Sequence, residues 1–503
     1  MKVKELKKGA IFSYLLILAN SFYGLFFTPY LISALGDGQY GVYKIIASLA
    51  GSITILDLGI GSTVLRYVAY FNAKNDKKNL SNFCAMAFIQ TAIISAVMVA
   101  ACGIVYFCID GLYSKSLTPD ELRLAKNLFL IFIVMLVINN YEKVIFSMVA
   151  GCEHYSFANM TKLMSIILRV ILLVFALMVY PNAEVILLSQ IAATLVVMTA
   201  QWVHIKKKIG LKIKYYFWDN SLFLQSFKYT ALMFIQSLAV QLNGNLDNMV
   251  IGSIIGSAAV AVYSVGLQLY GMYEQFAMAF SDLMLPTVSK QIADGASERE
   301  LEDTVIKVGR LEFMALGAAL CGFIVIGREF IELWLGKGYT FAWTVGLILM
   351  IPTTVPLIQN VSLSILRAKN KMGFRTAAVC FMALFNLIIT IVGVRLFGAI
   401  AACVGTAIGL IGANIIAMNI YYVKVIHLNV FRIFANILKR TWLCCVISVA
   451  AVMLADRFIG GTWFLWLVKV VIFCVIYGIL LIIYGMNDSE KKVLFGKIMR
   501  KNK

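Results

Sequence analysis

Long apolar segments separated by short polar connections constrain this chain more than any other feature. About 20 apolar residues in a helix suffice to cross the hydrocarbon core of a bilayer. On that length, the sequence predicts about fourteen spans, near residues 10–35, 40–68, 83–109, 124–149, 160–180, 185–203, 227–252, 258–285, 304–326, 341–366, 377–394, 399–421, 441–455 and 464–484. A composition of 61% hydrophobic and 14% charged residues is too apolar for a soluble fold. We therefore expect an all-α polytopic membrane protein.

The cations fall in alternate connections between the predicted spans. The formal net charge is +19, which in a soluble domain would suggest a nucleic-acid partner. Here the lysines and arginines concentrate in every second connection, at 74–78, 206–214, 367–375, 424–440 and in the tail KIMRKNK. This is the bias that orients membrane helices, so both termini are predicted to be cytoplasmic. Nucleic-acid binding is excluded as a function class.

Metal, disulfide and nucleotide chemistry have no support in the sequence. Ten cysteines lie mainly within the apolar segments and show no ligand-like spacing to the three histidines. No Gly-rich phosphate-binding loop is present, so ATP use within this chain is not expected. The sequence predicts no cofactor, no metal site and no catalytic residue.

An internal repeat organises the apolar segments into two halves. Three positions match at one offset of 220 residues: Gly36, Gly41 and Tyr43 with Gly256, Ala261 and Tyr263. The sequence of each copy is typical of a tight turn between two membrane helices. Because six spans precede the second copy, the repeats enter the membrane in the same sense and are expected to be parallel. The predicted domains are a six-helix bundle at 1–205, a cytoplasmic linker at 206–222, a second six-helix bundle at 223–423, an interfacial segment at 424–440, two extra helices at 441–485 and a cytoplasmic tail at 486–503.

Ionisable residues inside the apolar segments are the functional candidates, because an unpaired charge in hydrocarbon costs several kcal/mol. Arg169 lies near the centre of its segment, so it either lines a water-filled cavity or forms a buried bridge to Asp57 or Glu142. For cations near segment ends, snorkelling to the headgroups is an alternative. The candidate cations are Arg169, Arg66, Lys143, Arg310, Lys228 and Lys44, and the candidate acids for charge pairing or ion coupling are Asp57, Glu142, Asp247 and Glu274.

Four segments resemble the polysaccharide-export branch of the multidrug/oligosaccharidyl-lipid/polysaccharide exporter superfamily, which includes Wzx-type flippases: LGDGQYGVYKI, LDLGIGSTVLRYVAYF, LDNMVIGSIIGSAAVAVYSVG and LMLPTVSKQIA. The resemblance extends over essentially the whole chain. It implies a V-shaped carrier of two bundles in a bacterial inner or plasma membrane. The cargo would be an oligosaccharide linked to undecaprenyl diphosphate, moved from the cytoplasmic to the outer leaflet by alternating access for O-antigen, capsule or teichuronic-type polysaccharide.

The resemblance also implies roles and partners. The candidate cations would bind the diphosphate headgroup, and the acids would pair with them or bind a coupled proton or sodium ion. A polysaccharide polymerase and glycosyltransferases of the same pathway would be partner proteins. Two negative charges leaving an inside-negative cell gain about 5 kcal/mol at 100 mV, so net outward transport needs no ATP.

Three alternatives remain open from the sequence. Lipid II flippases have a similar number of spans, but Ala10–Leu35 lacks the arginine that they carry in span one. A cation-coupled drug or metabolite exporter is expected to have unpaired acids at the midplane, where this chain has Arg169. A membrane-embedded polysaccharide polymerase or ligase is expected to have a large external catalytic loop, whereas the predicted external connections are short.

Overall fold

The structure is a computed structural model of the 503-residue chain. It describes residues 3–57, 59–217, 220, 246–281, 285–369, 371–456, 461–488 and 490–491. Helices account for nearly all of these residues, and no strand occurs among them. The predicted fold class, an all-α polytopic membrane protein, is confirmed.

Seventeen α-helices are numbered here in chain order, beside a further helical stretch at 246–254. Their bounds are α1 Val3–Ile53, α2 Ile60–Ala73, α3 Lys77–Tyr113, α4 Pro119–Gly151, α5 Tyr155–Val179, α6 Glu184–His204, α7 Ser257–Ser281, α8 Leu285–Ala293, α9 Glu298–Leu335, α10 Phe341–Ile358, α11 Asn360–Ala368, α12 Gly373–Phe397, α13 Ile400–Leu410, α14 Met418–Ile426, α15 Val430–Leu438, α16 Thr441–Asp456 and α17 Trp463–Leu480.

Within the described part of the chain, eight helices are long and apolar enough to cross a membrane. The count reaches nine if α15 and the start of α16, bent by 44° at their junction, form one span. The predicted number of fourteen stays a prediction.

The two turns of the sequence repeat share an unusual backbone conformation. Gly36 has φ +74° and Gly256 has φ +122°, and residues other than glycine rarely adopt this region of backbone conformation. Gly41 has a different reason to be glycine, since a β-carbon there would collide with the carbonyl group of Ser257. The glycines that reveal the repeat are therefore required by a turn at two positions and by close backbone packing at a third.

Capping residues in the polar connections fix where several helices begin. Asp76 accepts a hydrogen bond from the Asn79 N–H at the start of α3. Capping boxes begin α4 with Thr118 and Glu121, and α9 with Ser297 and Glu300. The charged segment from Ser289 to Lys307 includes the end of α8 and the first turns of the 38-residue α9.

The chain divides into two compact units. The first comprises Met1–Ala261 and Val394–Ala399, and the second comprises Val262–Gly393 and Ile400–Lys503. In the first unit, an extended segment after α6 is held against the start of α3. The Asn82 side chain accepts hydrogen bonds from the N–H groups of Tyr216 and Phe217, and donates to the Phe217 carbonyl. The two-bundle division drawn from the sequence stays a prediction.

In the second unit, the C-terminal helices α16 and α17 pack against α9. Lys469 of α17 is only 2% exposed and forms a 2.8 Å salt bridge with Glu329 of α9. The Tyr477 hydroxyl donates a 2.7 Å hydrogen bond to the Met314 carbonyl of α9. These contacts join the C-terminal pair to the body of the unit.

Candidate functional site

Helix α5 has two chemically different faces. Its outward face carries exposed apolar side chains, among them Met164, Ile167, Ile171, Phe175 and Met178. The opposite face carries Lys162, Ser165, Ile166 and Arg169, at the i, i+3, i+4, i+7 spacing of a single helical stripe. A membrane helix with lipid on one side and a polar stripe on the other directs its charges into the protein.

This stripe lines a cavity of about 240 Å³ within the first unit. Helices α1, α4, α5 and α6 each contribute residues at helical spacing. The charged lining residues are Glu142, Lys162 and Arg169, and the lining amides are Asn20, Asn139 and Gln190. Two of the ten predicted candidates, Arg169 and Glu142, thus meet at one site.

Arg169 lies deep in α5. It is 14 residues from Tyr155 and 10 from Val179, or about 21 Å and about 15 Å along the helix axis. The guanidinium carbon lies 4.2 Å from the centre of the Tyr23 ring, a cation–π contact. The Nε atom is buried without a hydrogen-bond partner, and no carboxylate in the described part of the chain forms a salt bridge with Arg169. Its N–H groups are thus not committed to a structural carboxylate there.

Lys162 is a cavity residue that the sequence reasoning missed. It lies seven residues before Arg169, or about 10 Å along α5, and its Nζ is 3.8 Å from the centre of the Phe146 ring. Lys162 lies at the start of the predicted span 160–180, where lysines are common, and it was not among the predicted candidates. The available signal was the seven-residue spacing from Arg169, which places both cations on one helix face.

Asp57 and Lys143 form a salt bridge with each other, so Asp57 does not pair with Arg169. Asp57 ends a short 3-10 turn in the break between α1 and α2, where its carboxylate also accepts a 2.8 Å hydrogen bond from the Gly59 N–H. Lys143 of α4 provides the salt bridge. The predicted alternative in which Asp57 is the partner of Arg169 does not occur in the structure.

Arg310 lies in the second unit and is committed to structural contacts. It is 4% exposed and uses its five N–H groups within the protein. Nε and Nη2 donate to the Glu490 carboxylate, Nη2 also donates to the Gly485 carbonyl, and Nη1 donates to the carbonyls of Asn436 and Lys439. Because no donor is left for a ligand, Arg310 is not part of the site proposed below.

The other candidates lie away from this cavity lining. Lys44 of α1 lies 5.2 Å from the Tyr40 ring centre, and Arg66 is exposed on α2. Asp247 is buried in the helical stretch at 246–254. Glu274 of α7 belongs to the second unit, within electrostatic range of Arg375. Lys228 lies outside the described residues.

Sequence comparison gives a family and one curated relative. Residues 6–292 match the family model described as polysaccharide biosynthesis protein. The probable low-salt glycan biosynthesis flippase Agl15 of Haloferax volcanii is 23% identical over 230 residues, which cover 45% of this chain and 47% of that protein. The chain therefore aligns with less than half of the length of this relative.

Solved transporters share the fold at low sequence identity. The inward closed conformation of the lipid II flippase MurJ superposes with a TM-score of 0.73 at 15% identity, covering 98% of this chain and 99% of that one. An inward-facing multidrug resistance MATE family transporter of the MOP superfamily gives 0.68 at 14% identity, covering 84% and 95%. These matches and the family model confirm the resemblance found in the sequence motifs. Since the family model matches more than half of the residues of this chain, the chain belongs to the polysaccharide biosynthesis protein family.

Proposed function

We propose that this protein is a flippase that moves an oligosaccharide linked to undecaprenyl diphosphate from the cytoplasmic to the outer leaflet by alternating access. The cavity of the first unit, with Arg169 over the Tyr23 ring and its Nε without a partner, is the observation that carries this proposal. The family membership and the MurJ-like fold support the same reading. The protein would perform transport without chemical catalysis.

The polar groups of the cavity suit a phosphorylated sugar. Arg169 offers a planar guanidinium for bidentate contact with phosphate oxygens, and Lys162 offers a second cation on the same helix face. The amides of Asn20, Asn139 and Gln190 can donate to and accept from sugar hydroxyls. Glu142 limits the net positive charge, which would favour release of the anion after transport. The lipid tail would stay in the bilayer while the head passes through the protein.

Energy and location follow from the charge of the cargo and of the chain. Two negative charges leaving an inside-negative cell gain about 5 kcal/mol at 100 mV, enough to bias transport outward. The alternation of basic connections supports cytoplasmic termini in a bacterial inner or plasma membrane. The glycan would belong to a surface polysaccharide such as O-antigen, capsule or teichuronic-type polymer, made with a polymerase and glycosyltransferases as partners.

The test uses purified protein in proteoliposomes with a fluorescent undecaprenyl-diphosphate-linked disaccharide as the probe. The fraction of probe in the outer leaflet is read by quenching with an impermeant reductant. Losing a bidentate charged contact is worth about 1.5–3 kcal/mol, so Arg169→Ala should slow translocation about tenfold or more. Arg169→Lys should recover part of the rate, because it keeps the charge and loses the fork.

Arg123→Ala is the matched control, since Arg123 is exposed in the first turns of α4 in the same unit. It should translocate the probe at the wild-type rate. Failure of the wild-type protein to move the probe would argue against the flippase assignment. Equal rates for wild type and Arg169→Ala would remove Arg169 from the site while leaving the transport activity standing.

A lipid II flippase is the second candidate, because the MurJ fold covers 98% of this chain. The fold alone does not identify the cargo, and Ala10–Leu35 contains no basic residue. The same vesicles with lipid II as a competing probe separate the two. Faster translocation of lipid II than of the disaccharide lipid would favour this second function.

A further inference from the structure

A buried carboxyl group in the second unit has no partner. Glu312 of α9 is 2% exposed, and both of its carboxylate oxygens are buried without a hydrogen bond to any described residue. The described residues also provide no salt bridge to it. A charged carboxylate in such a place would be strongly unfavourable, so the group is the neutral acid. Arg310 lies two residues before Glu312, about 200° around the helix, and all of its donors are satisfied by Glu490 and backbone carbonyls.

Helix α10, which packs against α9, is broken at its end. Helix α10 contains Pro352 and Pro356 and ends at Ile358, and α11 begins two residues later. Gly309, one turn before Glu312 on α9, approaches this break so closely that a β-carbon there would collide with the Ile358 carbonyl. Non-helical backbone at membrane depth is tolerated where it is enclosed by protein or lines a water-filled space, and such breaks mark ion sites in transporters.

Two polar side chains at the break are, like Glu312, buried and have an unpaired hydrogen-bonding atom. Gln359 is 2% exposed and its Nε2 has no partner, and Ser362 is 1% exposed and its Oγ has none among the described residues. Three buried polar side chains on α9 and at the α10–α11 junction thus carry unused hydrogen-bonding atoms. Buried polar atoms are normally paired, so unpaired ones at a helix break and on the helix packed against that break need a functional explanation.

Several cations on the surrounding helices form salt bridges with carboxylates other than Glu312. Helix α10 carries no charged residue. Cations on α9, α15 and α17 hold other carboxylates, in the pairs Arg310–Glu490, Arg432–Glu302 and Lys469–Glu329. The other titratable groups of α9 are Glu298, Arg299, Glu300, Asp303, Lys307, Cys321, Arg328 and Glu332, and those of α7 are Tyr263, Tyr270, Tyr273 and Glu274. The rest are Arg367 on α11, Cys444, Cys445 and Asp456 on α16, Cys474 and Tyr477 on α17, and Lys337 and Tyr339 in the turn Lys337–Tyr339. Of these, Tyr477 donates to Met314 and Tyr273 is bonded to Thr354.

We propose that Glu312 is a proton-binding site of the carrier. Its carboxylate takes one proton from water to give the buried neutral acid, and returns that proton to water in a state of the second unit that opens the α10–α11 break. The proton is the only species exchanged, so each cycle moves one proton. Its coupling to transport rests on the proposed flippase function, whereas the proton site itself does not.

Infrared spectroscopy of the purified, reconstituted protein tests the site without any glycolipid. At neutral pH, the wild-type spectrum should contain a carboxylic-acid carbonyl band that is absent from Glu312→Gln and present in Glu298→Gln, a matched control at the exposed start of α9. The band should shift after transfer into D₂O, because the proton exchanges with water. If Glu312→Gln is poorly folded, Glu312→Leu provides the second subtraction.

Two infrared results would overturn the proposal. One is that Glu312→Gln and Glu312→Leu keep every acid band of the wild type, which would mean that Glu312 is ionised and paired. The other is an acid band that never shifts in D₂O, which would mean a permanently sealed structural group.

The transport arm uses the disaccharide-lipid vesicles with a pH-sensitive dye inside. Wild type and Glu298→Gln should move protons when the probe is translocated, and Glu312→Gln should lose at least nine-tenths of that proton movement. Probe translocation by the wild type without proton movement would contradict coupling. No probe translocation at all would count against the flippase assignment and leave the infrared result to decide the proton site.

Discussion

Arg169 in the first unit and Arg310 in the second both lie within predicted membrane spans, yet their surroundings are opposite. Arg310 donates to a carboxylate and to three backbone carbonyls, and no donor remains. Arg169 lies over the Tyr23 ring, lines a cavity and keeps Nε unpaired. The difference separates an arginine that holds helices together from one that is available to a ligand. An intramembrane charge is therefore not a functional residue by its depth alone.

The largest effect on stability should come from Arg310→Ala. Removing this side chain strands the buried Glu490 carboxylate and several carbonyl groups, which should lower the free energy of unfolding by about 3–5 kcal/mol. Thermal unfolding in detergent measures the loss. Arg169→Ala is the comparison, and it should cost less than about 1 kcal/mol because it breaks no ion pair in the described structure.

The double variant Arg310→Met with Glu490→Leu sharpens this prediction. Replacing both partners by apolar residues should restore the part of the stability that is lost by stranding the Glu490 carboxylate, while the three carbonyl groups that Arg310 contacts stay unpaired. A double variant as unstable as Arg310→Ala would show that the backbone carbonyl contacts, rather than the ion pair, dominate.

A smaller effect is expected at the other buried pair of the second unit. Lys469→Met removes the salt bridge to Glu329 but keeps the apolar packing of the lysine stem in α17. Because Glu329 retains some exposure, the cost should be about 1–3 kcal/mol. Unfolding of Lys469→Met, Glu329→Gln and the double variant gives the coupling energy, and a value near zero would remove this pair as a link between α17 and α9.

The smallest effect on stability is expected from Glu121, in the first turn of α4. Burial raises the pKa of the Glu121 carboxyl, but hydrogen bonds from Ser257 and Thr118 outweigh it and leave the pKa below its ordinary value. A carboxyl with a depressed folded-state pKa stabilises the fold above the ordinary value of about 4.3, and this contribution disappears as the pH falls through the folded-state value. Solvent screening keeps it below about 1 kcal/mol.

Comparing Glu121→Gln with the wild type from neutral to acid pH measures this contribution. The stability difference should shrink as the pH falls. A difference that is independent of pH would mean that the hydrogen bonds do not depend on the carboxylate charge.

The sequence predicted the helical class, the turns at Gly36 and Gly256 and the central depth of Arg169, because each depends on local patterns. It did not predict which charges pair, since Asp57 and Lys143 are 86 positions apart and Arg310 and Glu490 are 180 apart. Lys162 was within reach, because the seven-residue spacing from Arg169 is a local pattern. Glu312 was visible as an intramembrane acid, but its lack of partners is a property of packing that no spacing reveals.

Binding of the headgroup measured by thermal stabilisation tests the contrast between the two arginines most directly. A ligand at one hundred times its dissociation constant stabilises the folded state by about 2.7 kcal/mol. The disaccharide linked to undecaprenyl diphosphate should raise the unfolding temperature of the wild type and of the Arg310→Met, Glu490→Leu double variant, and should leave Arg169→Ala unchanged. Equal stabilisation of Arg169→Ala and wild type, or loss of stabilisation in the double variant alone, would contradict the assignment of Arg169 to the ligand and of Arg310 to the fold.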